Sequence, residues 1–364
     1  MIDELRKTGH LTLENSKIIS DLVELCSVPG VSGREEKVRE KIISMITTKY
    51  RVDNIGNLIV EQERNVKNKK ILKNEINERN VILLAHMDEI GFYITSLRGD
   101  GKLEIRNVGG IVEETVQGSF VKVVTKQGVL DGVIGTVPPH LRNDGVTFDK
   151  CIDVGARNKE ELVTLGISIM DYAVFWKDHA ILNNDILSMR SLDDRFGCYV
   201  LVELSKLSKM SEYFWNPTFV WTVQEEVGLR GAKAIVDSFS KRKDRSYDLA
   251  IAIDSFACCS KQNQHICLGN GPVIRSFDNS SISNYTVVNA FLDIAEKNNI
   301  PVQLGTTGGG NDASVFVEYG IPMVALSVPV RYLHSQVEMV HINDVKNLIR
   351  LLDAFLKTNF KEEI

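Results

Sequence analysis

The chain has 364 residues, with 43% hydrophobic and 25% charged positions, 26 glycines and 8 prolines, an ordinary composition for a globular protein with a sizeable core. Its 43 Lys+Arg against 48 Asp+Glu leave a formal net charge of −5, which excludes a whole-chain basic field that would draw nucleic acid or an anionic membrane surface. No apolar run approaches the roughly 20 residues of a membrane span, and the opening MIDELRKTGHLTLE lacks the apolar core of a signal peptide, so a cytoplasmic location is expected. Six cysteines, none in a CxxC pair, are too sparse for a disulfide framework and read as reduced thiols; the Cys258-Cys259 pair takes no assignment.

Thr12 to Val28 predicts an amphipathic helix stopped by Pro29-Gly30. A second helix is predicted from Ser32 to about Thr48, because Ser32 and Glu35 have the spacing of a capping box. Residues 51–60 predict a short hairpin around Gly56, and the polar stretch 61–80 a solvated loop or strand-edge excursion. Between 91 and 176 the runs FYITSL, KLEIRNV, SFVKVVT and GVLDGVIGTV are punctuated by glycine, the texture of a small all-β barrel. Beyond 177, strands near 218–223, 248–253, 301–304 and 322–330 alternate with helices near 196–208, 230–239, 282–298, 312–319 and 343–358. The expected fold class is α/β: a mixed central sheet flanked by helices, built from 1–90 and 177–364, with the barrel-like domain 91–176 inserted into it.

The residues just beyond each apolar strand point to chemistry. VILLA (81–85) runs into His86-Met87-Asp88, TFVWTV (218–223) into Gln224-Glu225-Glu226, DLAIAI (248–253) into Asp254, and PMVALSVPV (322–330) into Arg331-Tyr332-Leu333-His334. In open α/β sheets ligands bind at the carboxyl ends of strands, so these groups can converge. Each alone has an ordinary explanation, as a hydrogen-bonded pair, a solvated helix start or a cap; their conjunction is the signal. SLDDRFG (191–197) adds adjacent carboxylates before a helix, either a plain N-cap balanced by Arg195 or a bridge between two cations.

Taken in order, AHMDEIGF (85–92), SLDDRFG (191–197), VQEEVGLRGA (223–232), AIDS (252–255), GGGNDAS (308–314) and RYLHS (331–335) resemble the signature blocks of the TET-type aminopeptidases, a family of dimetal metallopeptidases with glutamyl, leucyl and deblocking members. The resemblance spans roughly 15–360 and implies a dimetal exopeptidase-like fold. It implies two divalent ions per subunit, zinc or cobalt, with His86 and Asp254 on one, Glu226 and His334 on the other, and Asp193 bridging. It further implies a cis peptide bond after Asp193 and a homo-oligomer built from dimers into a tetrahedral dodecamer, the inserted domain serving assembly. Two imidazoles and three carboxylates suit such ions and leave positions open for water and substrate. Asp88 is expected to accept the second N–H of His86. Glu225 is left as general base, activating a metal-bridging hydroxide for attack on the first peptide bond of small peptide substrates.

His10, His140, His179, His265 and His341 have no partners at ligand spacing. Asp312 is expected to cap the following helix or support the site, and Glu338 to lie beside it. A glycoside hydrolase using Glu225 and Glu226 is the competing enzyme reading; it is disfavoured because neighbours on an extended strand face opposite ways. A non-catalytic binding protein on a peptidase fold is the third.

Overall fold

A computed structural model describes residues 12–62, 79–207, 212–241, 246–258 and 263–359. His10, Cys259 and most of the polar stretch 61–80 lie outside them. Helix α1 (Leu13–Cys26) begins where Thr12 Oγ1 accepts the Asn15 N–H at 3.1 Å, and its inner face buries Ile18, Ile19, Leu22 and Leu25. Helix α2 spans only Glu36–Met45, and the predicted capping box does not form. Ser32 Oγ instead donates to Asp88 at 2.6 Å, and Glu35 Oε1 accepts from the N–H groups of Gly33 and Gln224 at 2.7 and 3.0 Å. A tertiary partner has drawn Ser32 from the local cap, and Glu35 divides its oxygen between neighbouring Gly33 and distant Gln224.

Strands β1 (Arg51–Val52) and β2 (Leu58–Glu61) form the predicted hairpin, with Gly56 at φ +107° in its turn. Strand β3 (Arg79–His86) enters the central sheet, and the chain then leaves it for the barrel. That barrel is closed by β4 (Gly91–Leu97), β5 (Lys102–Val108), β6 (Phe120–Val124), β7 (Val129–Ile134), β8 (Cys151–Asp153) and β9 (Tyr172–Phe175), in the order β4-β5-β8-β7-β6-β9. Two short helices, α3 (Pro139–Asn143) and α4 (Lys159–Thr164), decorate it, and Phe92, Val121, Ile152 and Phe175 fill its interior.

The hairpin β10 (Ala180–Leu182) and β11 (Ile186–Ser188) leads into α5 (Leu192–Lys206), which is buried along nearly its whole length. Strand β12 (Trp215–Thr222), helix α6 (Arg230–Ser240) and strand β13 (Leu249–Ala257) come after it. Next come β14 (Val273–Phe277), α7 (Tyr285–Lys297), β15 (Gln303–Thr306), a 3-10 helix over Asp312–Tyr319, β16 (Met323–Val330), β17 (Met339–His341) and α8 (Ile342–Leu356). The sheet order is β1-β2-β12-β3-β13-β16-β14-β15, and its four central strands β12, β3, β13 and β16 run parallel. Both faces of those strands are covered. Val81, Leu83, Phe219, Trp221 and Ile251 pack under α1, α5, α7 and α8, whereas Ile82, Leu84, Val220 and Ala250 face α6 and the 3-10 helix. Two-sided burial is why these strands read as continuous apolar runs.

Strands β10, β11, β14 and β17 have no counterpart in the sequence reading. Strand β17 has a direct consequence for the site: pairing of Ser188 with Met339 sets Glu338 beside the turn that leads to Asp193. Among the described residues no helix is long and apolar enough to cross a membrane.

Candidate active site

Because the central strands are parallel, their carboxyl ends share one edge, and a cleft of about 560 Å³ opens there. His86 is the last residue of β3 and is 2% exposed. Its backbone N–H donates to Asp194 Oδ2 (3.2 Å), its carbonyl accepts the Cys198 thiol (3.0 Å), and Nε2 faces Asp193 Oδ1 at 3.2 Å. Nδ1 lies 3.0 Å from the carbonyl oxygen of Asp88 and 3.6 Å from its carboxylate. The expected imidazole partner is therefore the Asp88 backbone first. The Asp88 carboxylate accepts from Ser32 Oγ and from the N–H groups of Glu225 (3.0 Å) and Glu226 (3.1 Å).

That bond pattern shapes the Glu225-Glu226 corner. Strand β12 ends at Thr222, and Gln224 turns the chain with φ +56°. Both carboxylates consequently reach the same cleft, within 4.8 Å of each other and of a His86 nitrogen. The expectation of opposed side chains fails because these residues sit in a turn beyond the strand.

Asp193 and Asp194 lie in the first turn of α5, joined by the expected cis peptide bond. Asp193 N–H donates to Glu338 Oε2 at 3.1 Å, and the other oxygen of Glu338 accepts the His334 N–H at 2.9 Å. Asp194 points away from the cleft, accepting from His86 and Gly197. Arg195 does not balance this pair; it donates to the carbonyls of Leu25 and Val28 and approaches Glu89, which also pairs with Arg190. Asp254 lies inside β13, which continues to Ala257 rather than ending at 253. Its Oδ2 is 3.6 Å from the buried Arg275 of β14. His334, at φ +59°, places Nε2 3.4 Å from Asp193 Oδ2 and 3.3 Å from Glu226 Oε1, while Nδ1 meets the Gly110 carbonyl of the barrel at 2.8 Å.

Besides His86–Glu225–Glu226, two triads share Asp193, His86–Asp193–Asp254 and Asp193–Glu226–His334, each with donor atoms within 4.8 Å of one another. Burial pushes Asp254 up to about 7 and Glu225 well above the usual carboxylate range, each helped by neighbouring acids. Burial also opposes ionisation of Asp193, yet hydrogen bonds from His334 and His86 hold its carboxyl well below that range. Burial likewise disfavours charge on His334, but Asp193 and Glu226 hold its imidazole protonated up to about 12. Without metal, protons on the imidazoles supply the positive charge that the acids demand. The donor set and its charge deficit therefore both fit divalent cations.

Sequence reading missed Arg275, Gly110 and Thr222. Thr222 Oγ1 donates to the buried Asp312 at 2.5 Å, and Asn311 is the residue that caps the 3-10 helix through Ala313 N–H. His341 caps α8, and His265 faces the Leu304 carbonyl.

Residues 68–351 match the family model described as M42 glutamyl aminopeptidase. The chain is similar to the Pyrococcus horikoshii TET1 peptidase, which can assemble into a tetrahedron or a large octahedral shell: 44% identity, TM-score 0.83, covering 93% of this chain and 99% of that one. It is 31% identical to the lysyl aminopeptidase of Pyrococcus furiosus over 90% of this chain and 94% of the relative. A Thermotoga maritima structure described as an endoglucanase has the same fold, with 28% identity and TM-score 0.70 over 92% of this chain and 96% of that one. With most of its length inside the family model, the chain belongs to the M42 glutamyl aminopeptidase family.

Proposed function

We propose that this protein is a dimetal aminopeptidase that removes N-terminal residues from small peptides, with Glu225 as general base. The observation that carries the reading is the pair of triads meeting at Asp193, with the Glu225 carboxylate beside them, 4.0 Å from His86 Nε2 and in neither. Two divalent ions, zinc or cobalt, bound there would supply Lewis acidity to lower the pKa of water and polarise a carbonyl. His86, Asp193 and Asp254 would hold one, and Asp193, Glu226 and His334 the other. Glu225 takes a proton from the attacking water and returns it to the leaving amine. Asp88 acts through the backbone, fixing the Glu225-Glu226 corner by two hydrogen bonds. An anionic cleft suits the free α-ammonium group of a peptide, which favours exopeptidase action.

Residues 1–90 and 177–364 are proposed as the catalytic unit and 91–176 as an assembly unit. Phe120 and Val133, a cross-strand pair on the barrel, are exposed together, as are Ile169 and Met170. Such apolar surface suits a homo-oligomer of dimers, up to a tetrahedral dodecamer. The five described cysteines are free thiols, which suits the reducing cytoplasm.

The glycoside hydrolase reading gains from the closeness of the Glu225 and Glu226 carboxylates, but it leaves His86, Asp254 and His334 without roles. Glu225→Gln separates the two. It should keep both ions by elemental analysis and lose about 10²- to 10⁴-fold of kcat on aminoacyl-anilides. Near-normal turnover would remove Glu225 as base, and release of sugar from β-glucan by the unaltered enzyme would favour the glycosidase.

A further inference from the structure

The two candidate metal pockets are supported differently. His86 is caged within the α/β body: its side chain is 3% exposed, and its Nδ1 partner is a carbonyl two residues along its own segment. His334 stands on the loop after β16 with its side chain 28% exposed, and its ring meets the barrel instead. The contact is the Gly109-Gly110 turn that comes after β5. Gly110 O lies 2.8 Å from His334 Nδ1, which turns Nε2 toward Asp193 and Glu226, the nitrogen that would be free for an ion there.

Both glycines leave the room that this approach uses. A Cβ at Gly110 would stand 3.0 Å from His334 Nδ1 and 3.3 Å from Cε1. At Gly109, where φ is +75°, a Cβ would stand 2.9 Å from Glu226 Oε2 and 2.7 Å from Ile90 Cγ2. One turn of the barrel thus lies against both members of the outer triad that are not shared. The inner pair, His86 and Asp254, has no such contact with it.

We propose that the Gly109-Gly110 turn is a positioning element through which the inserted barrel shapes the Asp193–Glu226–His334 pocket, while the His86–Asp193–Asp254 pocket is formed by the α/β body alone. The proposal rests on the dimetal reading above. Partners that orient a metal-bound imidazole typically matter 10- to 100-fold for metal affinity. Displacing the ring by a few tenths of an ångström should therefore weaken one ion by about that factor and spare the other.

The test counts ions. The unaltered protein, Gly110→Ala and Gly135→Ala are loaded with Zn²⁺, dialysed against a graded zinc buffer and analysed by mass spectrometry for bound metal. Gly135 lies in the same barrel with nothing within 4 Å of where its Cβ would be, so it reports the cost of the substitution alone. Expected are two ions for the unaltered protein and Gly135→Ala, and one tight ion for Gly110→Ala, the second bound about 10- to 100-fold more weakly. A structural role confined to the barrel would not produce loss of one ion from two. Should Gly110→Ala fail to fold, Ile111→Ala replaces it: Ile111 is half-buried against the barrel core, and its loss loosens the turn without adding bulk. The same selective weakening is expected there. Two ions held with unchanged affinity in whichever variant folds would overturn the proposal. Fewer than two ions on the unaltered protein would overturn the dimetal reading, and this proposal with it.

Discussion

The residues around the cleft carry backbone conformations that ordinary side chains avoid. Ser191, Gln224 and His334 all have φ between +54° and +59°, which costs of order 1 kcal/mol each and persists where the surroundings enforce it. At two of the three the enforcing group is a buried acid: Glu35 accepts the Gln224 N–H, and Glu338 the His334 N–H; Ser191 is held instead by its hydroxyl donating to the Cys26 carbonyl. Burial and nearby Asp88 push Glu35 up to about 7. The fold therefore favours its neutral form, and the stability it contributes is complete below the usual carboxylate range and is lost as pH rises through about 7. Each such proton is worth about 1.4 kcal/mol per pH unit within that window. Denaturant melts of the chelated protein at about pH 5 and about pH 8 should show lower stability at the higher pH. Glu35→Gln, whose amide oxygen can keep both backbone bonds, should shrink that difference by up to one proton's worth. An unchanged difference would remove Glu35 from the linkage.

At the scale of elements, α8 closes the larger core layer. Phe355 stacks on Phe291 of α7 with ring centroids 4.7 Å apart and on Trp215 of β12 at 5.1 Å. Phe355→Ala should cost about 3–5 kcal/mol of unfolding free energy by chemical melts. Because none of these rings borders the cleft, bound metal per chain should not change; loss of metal would tie α8 to the site.

Elements with one strong periodic face were legible before the structure, α1 and α8 among them, as were the two-sided strands β3, β12, β13 and β16. His86, Glu226, Asp254 and His334 were legible because each lies at or just past the end of such an apolar run, whereas Asp193 was marked only by the adjacent acids of SLDDRFG. Strands β14 and β17 are short or partly polar, and they exist because neighbouring strands offer hydrogen-bonding edges, a fact no local pattern carries. Arg275 was obscured for the same reason. Ser32 and Glu35 obeyed a local rule on paper, yet Ser32 was drawn into a tertiary bond and Glu35 divided between a near and a distant partner. Gly110 carries no chemical side chain at all; its contribution is a carbonyl and the space around it.

For the molecule as a whole, the net charge of −5 conceals the concentration of acid at one edge of the sheet. Against burial, neighbouring carboxylates raise the proton affinity of His86 and His334, the same demand for positive charge that divalent cations would meet. Zinc or cobalt added to the chelated protein should raise Tm, by an amount equivalent to about 2.7 kcal/mol per site at one hundred times Kd. A Tm indifferent to both ions would mean that the triads are not metal sites. If the barrel serves assembly, the mass in solution will be a multiple of 40.8 kDa, and Phe120→Glu should reduce it; a single-chain mass for the unaltered protein would contradict that role.

The most direct measurement is release of aniline from a panel of aminoacyl-anilides by the exhaustively chelated protein, before and after zinc or cobalt is restored. A dimetal aminopeptidase gives negligible release when chelated and recovers with metal, reaching its maximum as the second ion binds. Turnover that survives chelation, or no turnover on any aminoacyl-anilide with both ions bound, would contradict it.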